Sequence, residues 1–273
     1  MINVMALRKY IKNTDTYDKY YTKQHIVELC IQNMMNYIKK GTSVLEPSAG
    51  SGAFIEPLER LGCHITAIDI SPANSTIIQE DFLTHTKQYD IIIGNPPFGR
   101  NSSTALKFIN KATTLTSIIG FILPRTFLKS SIQEKIDRYF HLELSIELPR
   151  ESFLLDGISY DVPCVFQVWK RYTYTRDIEE KIYTSSIIQF TKKEDSDLSI
   201  IRCGGRSGVL EGIENINKNT HYFIKVLIDI NWFRYIWSKI LPELQKIAQN
   251  TAGVKSISKQ EIFRQLKDYE IIQ

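Results

Sequence analysis

The stretch Asp90-Ile91-Ile92-Ile93-Gly94-Asn95-Pro96-Pro97-Phe98 carries the most chemistry in this 273-residue sequence. An apolar run ends in a carboxamide, two consecutive prolines and an aromatic ring. The prolines surrender two backbone donors and fix a rigid turn that holds carbonyls outward. Such a turn suits a planar exocyclic amine, which is a poor nucleophile because its lone pair is delocalised into the ring. The Asn95 side-chain oxygen and the Pro96 carbonyl can take the two amine hydrogens together, favouring a tetrahedral nitrogen whose lone pair points at an electrophile. Positioning and aimed acceptors then supply the catalysis, and no strong general base is required. Phe98 offers a flat surface for a planar amide or base. Reaching a base inside a duplex means flipping it out, so aromatic walls are expected around it.

Upstream, Val44-Leu45-Glu46-Pro47-Ser48-Ala49-Gly50-Ser51-Gly52 reads as a strand feeding two glycines and a helix. Gly50 and Gly52 would let the backbone approach a ligand where a Cβ would collide. Glu46 falls at the strand's C-terminal end, where ligands bind in open α/β sheets. Asp69 closes the next strand, 19 positions after Gly50, the spacing at which a carboxylate takes ribose hydroxyls. The GxxxxGK[ST] pattern of phosphate-cradling loops is absent, so a nucleoside ligand without phosphates fits better. S-adenosyl-L-methionine is the natural candidate: its ammonium suits Glu46, and its sulfonium methyl is the electrophile a bound amine needs. Asp81 is placed to accept from the adenine amino group, with Phe82 packing on the ring; the plainer reading of Asp81 is a turn cap.

These residues need a scaffold of alternating elements. Helical spacing runs from Lys23 to Ile38, Phe54 to Leu61 and Thr104 to Thr114, with a further helix expected around Ser131–Tyr139. Short apolar strands fall at Ser43–Glu46, Ile65–Asp69, Tyr89–Gly94 and Ile118–Leu123, and Ser75–Ile78 leads on to Asp81. Leu142–Leu148 and Val162–Trp169 close the sheet. This is an α/β pattern, with a mostly parallel sheet carrying helices on both faces. The domain edge is expected near Tyr172, giving a catalytic domain over residues 1–172 and a smaller α+β region over 173–273. There, Trp232, Ile236, Ile240, Leu244 and Ile247 form an i, i+4 stripe interrupted by Pro242.

The ordered set Glu46-Pro47-Ser48-Ala49-Gly50-Ser51-Gly52, Asp69, Asp81-Phe82 and Asn95-Pro96-Pro97-Phe98 resembles the motifs of class I S-adenosylmethionine-dependent methyltransferases, specifically the N6-adenine DNA group. Tyr21-Thr22-Lys23-Gln24 is similar to that family's N-terminal cofactor motif, and its position matches the gamma arrangement. Ile122–Leu128 resembles the strand-Pro segment after the catalytic loop. The resemblance covers residues 18–171 and implies a Rossmann-like fold with a seven-stranded sheet. It implies cofactor contacts from Tyr21, Thr22, Glu46, Pro47, Ser48, Ala49, Gly50, Gly52, Asp69, Ile70, Asp81, Phe82 and Asn95. It assigns catalysis to Asn95, Pro96, Pro97 and Phe98, and target contacts to Phe98, Arg100 and Phe153, the last against the other face of the flipped base. Phe98 stands where the family more often has Tyr.

The remainder constrains less. Lys and Arg total 34 against 30 acidic residues, a net charge of +4, compatible with nucleic acid without arguing for it. Cys30, Cys63, Cys164 and Cys203 have no CxxC spacing and no His at metal-ligand distance, so no metal site is expected and the thiols read as idle in a reducing cytosol. The polar start and the lack of a long apolar run lead to an expectation of a cytoplasmic protein without membrane attachment. Gly204–Gly208 reads as a turn or an anion nest, and Asn250–Lys259 as a phosphate-touching loop. The expected substrate is DNA, with structured RNA or a protein glutamine amide as alternatives and a non-catalytic nucleic-acid recognition subunit as another. About 100 residues beyond the catalytic domain leave room for a separate specificity or endonuclease partner.

Overall fold

The computed structural model describes residues 20–155, 157–214, 216–251 and 253–270. They cluster into two compact units. The first comprises the described residues up to Pro124 together with Lys135–Arg176; the second comprises Arg125–Glu134 and the chain from Asp177 onward.

The first unit is built on seven strands: β2 (Ser43–Glu46), β3 (His64–Asp69), β4 (Ile78–Gln79), β5 (Ile91–Gly94), β6 (Ile118–Pro124), β7 (Phe140–Glu147) and β10 (Cys164–Arg171). Their order across the sheet is β4-β3-β2-β5-β6-β10-β7. All neighbours pair parallel except β10, which runs antiparallel to both β6 and β7. The triple isoleucine of β5 is buried throughout, as is β6 from Ile119 to Pro124. Because successive side chains point to opposite faces, this burial means that both faces are covered. Gly120 lies where packing is tightest: a Cβ there would come within 2.9 Å of Met34 Sδ and 3.0 Å of Phe166 Cζ. The strand order reverses between β2 and β5, creating the crevice at the carboxyl ends of parallel strands where open α/β sheets bind ligands.

Helix α1 (Gln24–Gln32) leads into β2, α2 (Ile55–Arg60) connects β2 to β3, and α3 (Ser103–Ala112) connects β5 to β6. A separate three-stranded sheet joins β1 (Tyr21–Thr22), β8 (Phe153–Leu155) and β9 (Ile158–Tyr160) in the order β1-β8-β9. The helix expected around Ser131–Tyr139 is shorter, a single turn α4 at Ser130–Gln133. The Arg176 guanidinium explains why it stops: it donates to the carbonyls of Ile136, Asp137 and Phe140, holding that segment out of helix.

The second unit has a four-stranded antiparallel sheet, ordered β11 (Ile188–Phe190), β14 (His221–Val226), β12 (Leu198–Ile201) and β13 (Leu210–Glu211). It packs with helices α5 (Ile230–Ala248) and α6 (Lys259–Glu270). The predicted apolar stripe is largely the buried face of α5, with Ile236, Ile240 and Leu244 in the core; Ile247 is half-buried and Trp232 is 47% exposed. Trp237 anchors α5 by donating to the Gly208 carbonyl at 2.9 Å. Gly204–Gly208 is a turn, closed by Ser207 donating to the Gly204 carbonyl. At the start of α6, Ser258 and Glu261 cap one another reciprocally, the S-x-x-E capping box.

Candidate active site

A cavity of about 480 Å³ opens in the first unit at the ends of β2, β3 and β5. Its size falls in the roughly 300–1,000 Å³ range of small-molecule pockets. Tyr21, Thr22, Glu46, Pro47, Ser48, Ala49 and Gly50 line one part of it. Asp69, Ile70, Asp81, Phe82, Asn95, Pro97 and Arg100 line the rest, together with Thr104 and Phe108. Residues as distant in the sequence as Tyr21 and Phe108 thus meet at one crevice, most of them next to a strand end.

Glu46 is the last residue of β2 and only 2% exposed. One interaction stabilises its charge, a hydrogen bond from the backbone N–H of Phe54. Its Oε2 is buried without a partner among the described residues. Burial, reinforced by the nearby Asp69 carboxylate, raises its pKa well above the ordinary carboxylate range, because an unpaired charge is disfavoured away from water. A cation delivered to this carboxylate would relieve that penalty.

Asp69, at the end of β3, accepts from Gly50 N at 2.8 Å and from Ser71 N at 2.7 Å. One carboxylate therefore fixes both the glycine loop and the turn after β3, and each oxygen keeps a further lone pair. Gly50 adopts φ +55°, and a Cβ there would stand 3.3 Å from the Tyr21 ring. Gly52 differs. It also needs a positive φ, +85°, but its Cβ would strike the Ile55 side chain at 2.7 Å, and it does not line the cavity. Its role is the turn into α2 rather than a close approach to a ligand. Asp81 caps the short helical turn Phe82–Thr84 through Leu83 N at 2.9 Å while also lining the cavity. Phe82 is buried against Phe108, with ring centroids 5.0 Å apart.

The orientation of Asn95 follows from its partners. Its Nδ2 donates to the Tyr20 carbonyl at 3.1 Å and to Thr22 Oγ1 at 3.2 Å. A backbone carbonyl can only accept, so the amide nitrogen must face it. The Oδ1 is then left buried with no partner among the described residues. Ser48 Oγ donates to the Asn95 main-chain carbonyl at 3.0 Å, tying the glycine loop to the Asn-Pro-Pro turn. The Phe98 carbonyl accepts from Thr104 N and Ala105 N, both at 3.2 Å, anchoring the turn to the start of α3.

Pro96, Phe98 and Phe153 lie outside the cavity lining. Phe98 and Phe153 are both buried, and both rings face Tyr20. Tyr20 and its stacking partner Tyr160 were not singled out from the sequence. Tyr20 could have been found from its position two residues before Thr22, on the same side of an extended strand. Tyr160 could have been found as the residue facing Phe153 across the turn at Gly157. Among the described residues no cluster of His, Cys, Asp and Glu could hold a metal ion, and none of the helices is long and apolar enough to cross a membrane.

The strand order, the single antiparallel β10 and the crevice at the β2/β5 reversal define the Rossmann-like fold of class I S-adenosylmethionine-dependent methyltransferases. No protein-family model matches the chain. The chain is similar to two curated proteins from Haemophilus influenzae, the type II methyltransferases M.HincII and M.HindII, each 38% identical over 88 residues. Those residues are 30% of this chain and 17% of each relative's length. Among solved structures it is similar to magnesium protoporphyrin IX methyltransferase from Synechocystis with S-adenosylmethionine bound. That likeness has 15% identity and a TM-score of 0.44, and covers 55% of this chain and 79% of the other. The cavity fits S-adenosyl-L-methionine, the cofactor that the motif resemblance implies: Glu46 presents an unpartnered buried oxygen to a cation, and Asp69 stands beside a glycine loop with no Cβ at Gly50.

Proposed function

We propose that the chain transfers the methyl group of S-adenosyl-L-methionine to the exocyclic N6 amine of adenine in DNA. The observation that carries this reading is the Asn95 carboxamide, whose nitrogen is committed to Tyr20 and Thr22 and whose oxygen is left without a partner. A buried acceptor held in one orientation suits a donor brought by the substrate, and an N6 amine is such a donor. The motif set resembles the N6-adenine DNA group, and the stretch of 38% identity is shared with type II methyltransferases.

When bound, the cofactor supplies an electrophilic methyl on its sulfonium. Glu46 pairs with its ammonium, Asp69 takes the ribose hydroxyls, and Asp81 with Phe82 receives the adenine ring. Asn95 Oδ1 and the Pro96 carbonyl accept the two hydrogens of the target amine and draw its lone pair out of conjugation. Phe98 and Phe153 stack on the extruded base. The methylated nitrogen carries one surplus proton, which the same two oxygens hold until solvent removes it. Arg100, exposed beside the cavity, meets a phosphate of the extruded strand. Sequence choice by a separate specificity subunit, and a partner endonuclease, belong to the same reading.

The test is direct. Protein is incubated with labelled cofactor and a mixture of unmethylated DNA, RNA and protein, which are then separated, digested and analysed by mass spectrometry. N6-methyladenine in the DNA is expected. Label found only in RNA nucleosides or in glutamine would refute the DNA acceptor.

A further inference from the structure

The small β1-β8-β9 sheet gathers aromatic residues on one face. Thr22 pairs with Phe153, and Phe153 pairs with Tyr160. Directly paired side chains lie side by side, and Tyr20, two residues before Thr22, projects to the same side. The Tyr20 ring stacks on Tyr160 with centroids 5.5 Å apart and planes inclined by 17°. It stacks on Phe98 at 6.2 Å and 29°, and meets Phe153 at 6.3 Å and 56°. Phe98 and Phe153 are the walls between which the proposed reaction places the target base.

We propose that the Tyr20 ring occupies the acceptor slot as a surrogate for the base, and that a planar substrate enters by displacing it, with Tyr160 as a further wall. The inference rests on the reading of Asn95 as the acceptor of an adenine amine. Tyr20 can do this because its main-chain contact and its ring contacts are mechanically separate. Its carbonyl orients Asn95 Nδ2, whereas its ring turns about χ1 and χ2. Rotation clears the slot and leaves the main-chain contact in place. The exchange also selects its substrate. A purine returns the stacking that Tyr20 gives up, while a group without a π-face leaves Phe98 and Tyr160 bare. Tyr20 is therefore a specificity-determining residue as well as an occupant.

The probe is adenosine, titrated calorimetrically into full-length protein saturated with S-adenosyl-L-homocysteine so that the cofactor site is filled. Tyr20→Ala keeps the carbonyl and is expected to tighten adenosine binding about fivefold, the scale of one aromatic pair. Tyr160→Ala should weaken binding. Weaker or unchanged binding in Tyr20→Ala would overturn the proposal, since the ring would then be a wall or a bystander. A second measurement does not depend on that variant folding. In protein labelled with 3-fluorotyrosine, the Tyr20 resonance, assigned with Tyr20→Phe, should shift on adding adenosine; a resonance that stays put while adenosine binds refutes displacement. If the parent methylates adenine in DNA but these signatures are missing, only the role of Tyr20 falls. If parent and Tyr20→Ala both bind S-adenosyl-L-homocysteine yet neither binds adenosine nor methylates DNA, the Asn95 reading fails and this inference with it.

Discussion

Replacing Glu46 with Gln should change stability and cofactor affinity in opposite directions. The Glu46 carboxyl is 2% exposed, receives one hydrogen bond from Phe54 N–H, and has its second oxygen unpartnered. Its pKa is therefore raised in the folded protein, by burial first and by Asp69 second. The sign follows from linkage. Below the unfolded value of about 4.3 both states hold the proton and Glu46 exacts no penalty. As pH rises from there towards the raised folded value, the unfolded chain ionises first, and folding loses up to about 1.4 kcal/mol per pH unit. Gln mimics the protonated carboxyl and cannot incur this loss. The ligand-free variant should thus melt close to the parent at about pH 4 and increasingly above it as pH rises towards the raised folded value. Each 1 kcal/mol corresponds to roughly 2–4 °C for a chain of about this size. Cofactor binding should suffer, because a charge-assisted contact worth about 1.5–3 kcal/mol is lost, equivalent to roughly 10–100-fold in Kd. Parent affinity for S-adenosyl-L-homocysteine should rise with pH through the raised pKa and then level off; the variant should show no such rise. Thermal melts and calorimetric titrations across this pH range measure both effects. A ligand-free variant that is destabilised at every pH would show that Glu46 holds the fold, and the reasoning would be wrong.

Two further outcomes concern the acceptor turn and the second unit. Asn95→Ala should abolish methyl transfer while changing S-adenosyl-L-homocysteine affinity by less than about threefold, a loss of transition-state interaction rather than of binding; single-turnover assays beside calorimetry separate the two. Glu261→Ala should cost about 3–5 kcal/mol, the scale for breaking a buried ion pair. It leaves the Lys129 ammonium, 3.1 Å from Glu261 and with both side chains 12% exposed, without its counter-charge, and removes the cap on Ser258 N. Denaturant melts measure that loss.

How much of this was readable from the sequence depends on how local the cause was. Parallel strands buried on both faces become continuous apolar runs, so Ile91-Ile92-Ile93 and Ile118–Leu123 were visible as strands. Their order in the sheet was not written in periodicity, and the motif resemblance implied only a seven-stranded, mostly parallel sheet. Ser75–Ile78 showed the opposite case: Asn74 Oδ1 accepts from Thr76 N at 3.0 Å and holds a turn there, so pairing begins only at Ile78. The missing helix beyond Gln133 was undone by Arg176, some 40 positions away. Glu46, Gly50, Asp69 and Asn95, which the cavity brings together, could be picked out because each sits at a strand end or in the glycine loop. Of the aromatic cluster, Phe98 and Phe153 came with the motifs, whereas Tyr20 and Tyr160 did not, since β1, β8 and β9 are two or three residues long, too short for any periodic signal.

The placement of two unpartnered oxygens at this crevice explains why the site suits the proposed group transfer without a strong base. Burying a polar atom without a partner costs about 1–3 kcal/mol, more for a charge, and the structure carries two such atoms, Glu46 Oε2 and Asn95 Oδ1, at one crevice. Glu46 ends β2 and Asn95 follows β5, strands that pair in parallel through Val44–Ile91 and Leu45–Ile92, so the sheet itself sets their separation. The Ser48–Asn95 hydrogen bond then couples the loops that carry them. One oxygen suits a cation and the other an amine. A donor and an acceptor bound at these two atoms are brought into register by main chain rather than by mobile side chains, and fixing reactants in this way can remove several kcal/mol from a bimolecular barrier. Neither the Asn95 carboxamide nor the Pro96 carbonyl titrates, so the transfer step should be insensitive to pH once the cofactor is bound, leaving Glu46 as the source of pH dependence through binding.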